Sequence, residues 1–223
     1  MRARVAKIAG LALTVACWLW ARDVQRSQTW NLILIWCAPL LQYPITLLGR
    51  RFVDAQPVTK RAEWVSVFVH YAMMIALGIS IFPAIRMVQQ HPRGALPIPQ
   101  PVGQVLVWMT GIATVLTVLN LAIRGLGAPF AAKLSSKLAT DWMYAWTRNP
   151  MLLCTLALLL SVGIRYRSVW FVLWVALIVS PGWIYFVKTY EERELEIRFG
   201  ASYMVYRART PLLWPRKPPA EGV

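Results

Sequence analysis

Acidic residues are scarce in this chain: nine Asp and Glu stand against 24 Lys and Arg in 223 residues, a formal net charge of +15. Histidine is scarcer, with only His70 and His91, and Cys17, Cys37 and Cys154 lie far apart with no C-x-x-C pair. A metal site needs several convergent ligands, so this inventory argues for no metal. The cysteines read as small buried hydrophobes within apolar stretches. A nucleotide fold is missing too: Gly125-Leu126-Gly127 has no third glycine at the required spacing and no preceding strand, so it is not a Rossmann fingerprint.

What is abundant is apolar. Hydrophobic residues make up 58% of the chain and tryptophan occurs twelve times, against roughly 45–50% apolar residues in soluble domains. Disorder is excluded, because such a chain has ample apolar surface to offset the entropy of ordering. Uncharged runs cover Ile8 to Ala21, Ser27 to Gly49, Trp64 to Ile85, Gly94 to Ile123, Asn149 to Ile164 and Ser168 to Val187. In the fourth, the polar and proline-rich start leaves Gln104 to Ile123 as the expected helix. The fold class is therefore all-α: a polytopic membrane bundle of five to six helices with a cytoplasmic helical tail.

The fifth run reaches only about 24 Å as a helix, short of a hydrocarbon core of about 30 Å. With the connector Arg165-Tyr166-Arg167 and the sixth run it forms a helical hairpin whose first arm barely crosses. The first run resembles a signal peptide in part, but Trp18-Leu19-Trp20 beyond Cys17 is a poor cleavage context. Six crossings with a cytoplasmic N-terminus leave eighteen basic residues on the inner side and six on the outer. That bias places both termini in the cytoplasm, and the expected location is a bacterial inner (plasma) membrane. No charge lies in the middle of any run, which removes the best support for an ion-coupled transporter.

Breakers punctuate the runs at Pro39, Pro44, Pro83 and Pro181-Gly182. Most are expected to be accommodated kinks. The Pro181-Gly182 step is the candidate for redirecting the chain just before its most polar segment.

The chemistry is expected at the cytoplasmic helix ends. One segment runs from Arg124 through Gly125-Leu126-Gly127-Ala128-Pro129 to Asp141-Trp142-Met143-Tyr144-Ala145-Trp146-Thr147-Arg148-Asn149-Pro150. The other is the tail Glu191 to Tyr206, which holds four of the nine acids between Glu191 and Glu196. Glu194 and Glu196 are expected on a solvated helix end, with Glu194 pairing to Arg198 at i, i+4. Glu191 and Glu192 directly follow the sixth run. Facing back into the bundle, they suit an amine, a sulfonium or ribose hydroxyls, while Arg148 suits a carboxylate. Trp142, Tyr144 and Trp146 read as interface anchors. The basic tail Arg207, Arg209, Arg216 and Lys217 reads as contacting lipid headgroups, with no nucleic acid.

Taken in order, these residues carry a resemblance. Trp142-x-Tyr144, Arg148-Asn149-Pro150-Met151, Glu191-Glu192-x-x-Leu195 and Phe199-Gly200-x-x-Tyr203-x-x-Tyr206, with Pro211 and Pro215, resemble the isoprenylcysteine carboxyl methyltransferase and phospholipid methyltransferase superfamily. Gly125-x-Gly127-Ala128-Pro129 is similar to that family's Gly-x-Gly-Thr-Pro element. The resemblance implies an integral membrane methyltransferase that uses S-adenosylmethionine. It implies catalytic roles for Arg148 and Glu192, and cofactor binding by Asn149, Pro150, Met151, Glu191, Leu195, Tyr203 and Tyr206.

One membrane domain is expected, with four spans in 1–123 and a methyltransferase-like core in 124–215. The acceptor is expected to be lipophilic or small. Asn149 stands where relatives acting on prenylated cysteine commonly have His, Leu152 where a Tyr is common, and Ala128 where Thr is common, so a prenylated cysteine carboxylate, a phospholipid amine, a small thiol and a hydrophobic acid all stay open. Alternatives are a catalytically silent relative serving in membrane interaction or assembly, and a small transporter.

Overall fold

A computed structural model describes residues 2–23, 27–90, 95–124 and 137–217. Its helices are α1 (Arg2–Asp23), α2 (Gln28–Cys37), α3 (Gln42–Ala55), α4 (Thr59–Gln90), α5 (Gln100–Arg124), α6 (Met143–Trp146), α7 (Pro150–Arg165), α8 (Val169–Phe199) and α9 (Ala201–Arg209). No strand occurs among the described residues; a single isolated bridge joins Ala95 and Ser168.

Five segments are long and apolar enough to cross a membrane: α1, the α2–α3 unit Gln28–Ala55, α4, α5 and α8. The protein is an integral membrane protein. The α2–α3 unit bends through a 3-10 turn at Pro39–Leu41, while Pro44 falls in the first turn of α3, where its missing N–H leaves no intrahelical bond unmade. Helix α5 starts four residues earlier than the expected Gln104, and α7 is the short arm, 16 residues long.

The largest departure concerns the last span. The chain is not redirected at Pro181-Gly182, and α8 runs unbroken for 31 residues to Phe199. Two π-helical turns, Val175–Val179 and Val187–Glu191, are set into it. The first ends where the Ser180 N–H reaches back to the Val175 carbonyl, so Pro181 enters just after a wide turn and its missing donor is absorbed without a break. Gly182 is needed for contact instead: a Cβ there would lie 2.9 Å from Gln42 Nε2. At about 46 Å, α8 exceeds a hydrocarbon core of about 30 Å, and its charged end carries the acid cluster beyond the apolar run.

Helix α4 is the central post. Helix α1 lies along it, α2 and α3 cover a second side, and the end of α8 packs on it near the charged boundary. Close approach of α1 is set by Gly10 against the Tyr71 ring and Gly78 against the Trp18 indole, whose Nε1 donates to the Met74 carbonyl at 2.9 Å. One core cluster gathers Ile35, Leu77, Leu159, Phe171 and Trp174, with Trp174 Nε1 donating to the Ile35 carbonyl at 3.1 Å. A second cluster, Val69, Met73, Leu152, Leu156, Phe186 and Tyr190, lies nearer the acid-rich end.

Helix α5 packs chiefly on α7, and its other face exposes Val105, Trp108, Met109, Ile112 and Leu119 as expected of a lipid-facing helix. The cysteines are not core residues: Cys37 is exposed and Cys17 and Cys154 are half-buried. In a bilayer, lipid satisfies a small apolar side chain as well as a core does.

Candidate active site

The site is assembled where the start of α7 meets the end of α8. Asn149 caps α7: its Oδ1 accepts from the Leu152 N–H at 2.9 Å, and Pro150 occupies the first helical position. Both are standard helix-start chemistry, since a capping amide satisfies an orphan N–H and proline has none to lose. With Oδ1 so engaged, Asn149 Nδ2 is aimed away from α7 and donates to Glu191 Oε2 at 3.1 Å. Among the described residues Glu191 Oε1 has no hydrogen-bond partner.

Arg148 is almost wholly consumed by the fold. Its Nε donates to Glu192 Oε1 at 3.1 Å and its Nη2 to the same oxygen, while Nη1 donates to the carbonyls of Arg207, at 3.0 Å, and Thr210. Glu192 is also approached by Arg207 Nη2 at 3.3 Å. With side-chain exposures of 13% for Arg148 and 6% for Glu192, this pair is largely desolvated and its strength depends on these extra bonds.

The π turn at Val187–Glu191 sets which acids face the site. One extra residue per turn advances the helix face by about 100°, so that Tyr190 within the turn and Glu194 beyond it lie against α4 while Glu191 and Glu192 meet the Arg148-Asn149 loop. Two bonds hold α8 from the other side: Arg50 donates to the Thr189 carbonyl at 2.8 Å and Arg193 to Asp54 at 2.9 Å.

The tail closes over this arrangement. Arg148 N–H donates to the Pro211 carbonyl at 2.8 Å, Asn149 N–H to the Leu212 carbonyl at 3.1 Å, Thr147 Oγ1 to that same carbonyl at 2.7 Å, and Arg216 N–H to the Trp146 carbonyl at 3.0 Å. Helix α9 turns back after Gly200, which sits at φ +54°. It brings in Tyr203 and Tyr206, both buried. Tyr206 donates to the Tyr144 carbonyl at 2.7 Å. Burial pushes both phenols above their ordinary value, Tyr203 further by the Glu192 charge. They therefore stay protonated as donors.

Of the expected site residues, Arg148, Asn149, Glu191, Glu192, Tyr203 and Tyr206 converge. Pro150 is buried and Met151 half-buried at the start of α7, and Leu195 is half-buried one turn beyond Glu191 and Glu192. The Gly125-Leu126-Gly127-Ala128-Pro129 element lies outside the described residues.

Three expectations are overturned. Glu194 is not on a solvated helix end: it is 2% exposed, bonded to Arg198 at 2.8 Å against α4. Arg207 is not left for lipid headgroups, because it pairs with Glu192 and Glu196. Tyr144 is buried and not an interface anchor like the exposed Trp142 and Trp146.

Four participants went unread in the sequence: Thr147, Thr210, Leu212 and Asn120. The first three act mainly through backbone carbonyls or a hydroxyl, which carry no sequence signature. Asn120, on α5 and 1% exposed, accepts from the Met143 N–H at 3.3 Å, and its Nδ2 has no partner among the described residues. A polar side chain in an otherwise apolar run was its signal.

Comparison with known families matches residues 100–202 to the phospholipid methyltransferase model. That segment, a little under half of the chain, begins at α5, contains Arg148 to Met151, Glu191, Glu192 and Leu195, and stops just before Tyr203. The family resemblance read from the residues is thereby shown for this segment, within the superfamily of integral membrane methyltransferases. No curated protein and no solved structure matches the chain.

Proposed function

We propose, from the phospholipid methyltransferase domain at residues 100–202, that this protein is an S-adenosylmethionine-dependent membrane methyltransferase of the isoprenylcysteine carboxyl methyltransferase type. Its acceptor is lipophilic or small. The observation that carries the reading is the double coupling of loop to helix: Arg148 to Glu192 and Asn149 to Glu191.

The donor set fits such a cofactor. Glu191 Oε1, without a partner among the described residues, suits an amine or a ribose hydroxyl. Pro150, Met151 and Leu195 supply an apolar wall, the protonated Tyr203 supplies a donor, and Tyr206, whose hydrogen goes to the Tyr144 carbonyl, helps to exclude water. When bound, S-adenosylmethionine supplies an activated methyl group that the acceptor's lone pair takes as the carbon–sulfur bond breaks. Such a displacement asks the protein mainly for alignment and dryness. Arg148 and Glu192 hold the loop and helix at fixed separation, and Arg148 offers positive charge to an anionic group of cofactor or acceptor.

A site at the edge of the bilayer lets an acceptor enter sideways between helices. The reading keeps both termini on the cytoplasmic side of a bacterial inner membrane. Membrane lipids meet the exposed Arg209, Arg216 and Lys217.

One observation favours a catalytically silent relative: Arg148 and Glu192 already satisfy one another. Calorimetric titration of S-adenosylmethionine into purified protein, followed by radiolabelled methyl transfer to a membrane extract, separates the two. Binding with label in the lipid fraction is the expected result. Absence of binding up to millimolar cofactor removes the methyltransferase reading.

A further inference from the structure

At the end of α7 remote from Arg148, about 24 Å away along its 16 residues, lies a cavity of about 380 Å³. It is open and formed by the end of α4, the start of α5 and the connector between α7 and α8, with Gln89, Gln100, Arg165, Tyr166 and Arg167 on its walls. Its volume falls in the range of small-ligand sites. None of its described lining residues is acidic.

The polar groups here are held in place yet keep donors in reserve. Arg165 Nε donates to Gln104 Oε1 at 2.7 Å, and its guanidinium carbon lies 5.7 Å from the Tyr166 ring centroid. Arg167 Nε donates to the Leu96 carbonyl at 3.1 Å, and the Leu96 N–H donates back to the Arg167 carbonyl at 2.9 Å. That reciprocal pair, beside the Ala95–Ser168 bridge, fixes Arg167 in the left-handed region at φ +53°. A non-glycine residue held there is uncommon and needs such support.

Tyr166 Oη accepts from Gln89 Nε2 at 2.7 Å, which leaves its own hydrogen to give. Among the described residues, the terminal nitrogens of both arginines have no acceptor. The N-terminal end of the 25-residue α5, which carries partial positive charge, opens at Gln100.

A concave site with two guanidiniums, a phenol hydrogen, a helix N-terminus and no carboxylate among its described lining residues is complementary to an oxyanion with several acceptor oxygens. We propose that this cavity binds a phosphate group, carried by a membrane lipid headgroup, at the face opposite the Arg148 site. The lipid source follows from position: the cavity sits at the ends of membrane-spanning helices. Beside it, the exposed Val102, Val105 and Met109 continue down α5 as an apolar track for an acyl chain. Basic pockets at such boundaries hold phosphate headgroups by charge-assisted bonds.

The test uses the full chain, delipidated in detergent, and native mass spectrometry with short-chain phosphatidylglycerol, dioctanoylglycerol and inorganic phosphate as probes. Phosphatidylglycerol is expected to bind and dioctanoylglycerol, lacking phosphate, is not. The double variant R165Q/R167Q is expected to weaken phosphatidylglycerol binding at least tenfold. R167Q alone, which leaves the Arg165–Gln104 bond intact, is expected to weaken it at least threefold, and K60Q, an exposed position at the far end of α4 from the cavity, is expected to leave it unchanged. Equal binding by wild type and R167Q overturns the site. Displacement of the lipid by low-millimolar inorganic phosphate overturns the lipid source in favour of a soluble oxyanion.

Discussion

Arg148 and Glu192, 44 residues apart, form a largely buried ion pair that joins the loop before α7 to the end of α8. Removing Glu192 strands the Arg148 charge, and removing Arg148 leaves Glu192 only its longer contact with the more exposed Arg207. We expect Arg148→Ala and Glu192→Ala to destabilise the protein by roughly 3 kcal/mol and to abolish S-adenosylmethionine binding, with helical content retained in detergent. Circular dichroism and calorimetry on the purified variants check this. Wild-type binding in both variants would remove these residues from the site.

Asn149 serves two partners, and substitution separates them. Asn149→Ser keeps a capping oxygen for α7 but loses the amide donated to Glu191. Stability should stay within about 0.5 kcal/mol, given that Ser caps nearly as well as Asn, while cofactor affinity falls at least fivefold. Asn149→Ala should lose both, with about 1 kcal/mol of stability. A parallel loss of melting temperature and affinity in Asn149→Ser would show that the cap alone mattered.

The tail is a structural part of the site. Ending the chain after Arg209 removes the Thr210, Pro211 and Leu212 carbonyls that hold Arg148, Asn149 and Thr147. The truncated protein should insert and keep its helices yet bind S-adenosylmethionine at least tenfold more weakly. Undiminished binding would place the site away from the tail.

Tyr206 donates to the Tyr144 carbonyl from a buried position. Tyr206→Phe should cost about 1–2 kcal/mol, because the carbonyl is left without that partner, and a thermal melt in detergent reads it. A melt within error of wild type would show that the carbonyl finds another donor.

Packing of α5 on α7 is also testable by glycine. A Cβ at Gly103 would lie 2.5 Å from the Arg165 Cα, whereas one at Gly111 meets nothing within 4 Å. Gly103→Ala should destabilise by about 1–3 kcal/mol through overpacking. Gly111→Ala should be neutral or slightly stabilising, as alanine is the better helix former. Similar melts for the two variants would mean that the helices do not meet at Gly103.

Spans are local properties, and so they could be read from residues alone. An apolar run and its length decide whether a helix can cross, which is why five long segments and the short α7 arm stand where the uncharged runs lie. The ordered set Arg148 to Met151, Glu191, Glu192 and Leu195 was equally visible, and the family match at 100–202 rests on the same stretch. Tertiary structure decided what each charge does. The four acids from Glu191 to Glu196 look alike in sequence. The π turns and packing on α4 send Glu191 and Glu192 to the loop and bury Glu194 with Arg198. Arg207 turns from a basic tail residue into a partner of Glu192 for the same reason. Helix phase and long-range contact settle these roles, and neither is a property of any short segment of chain.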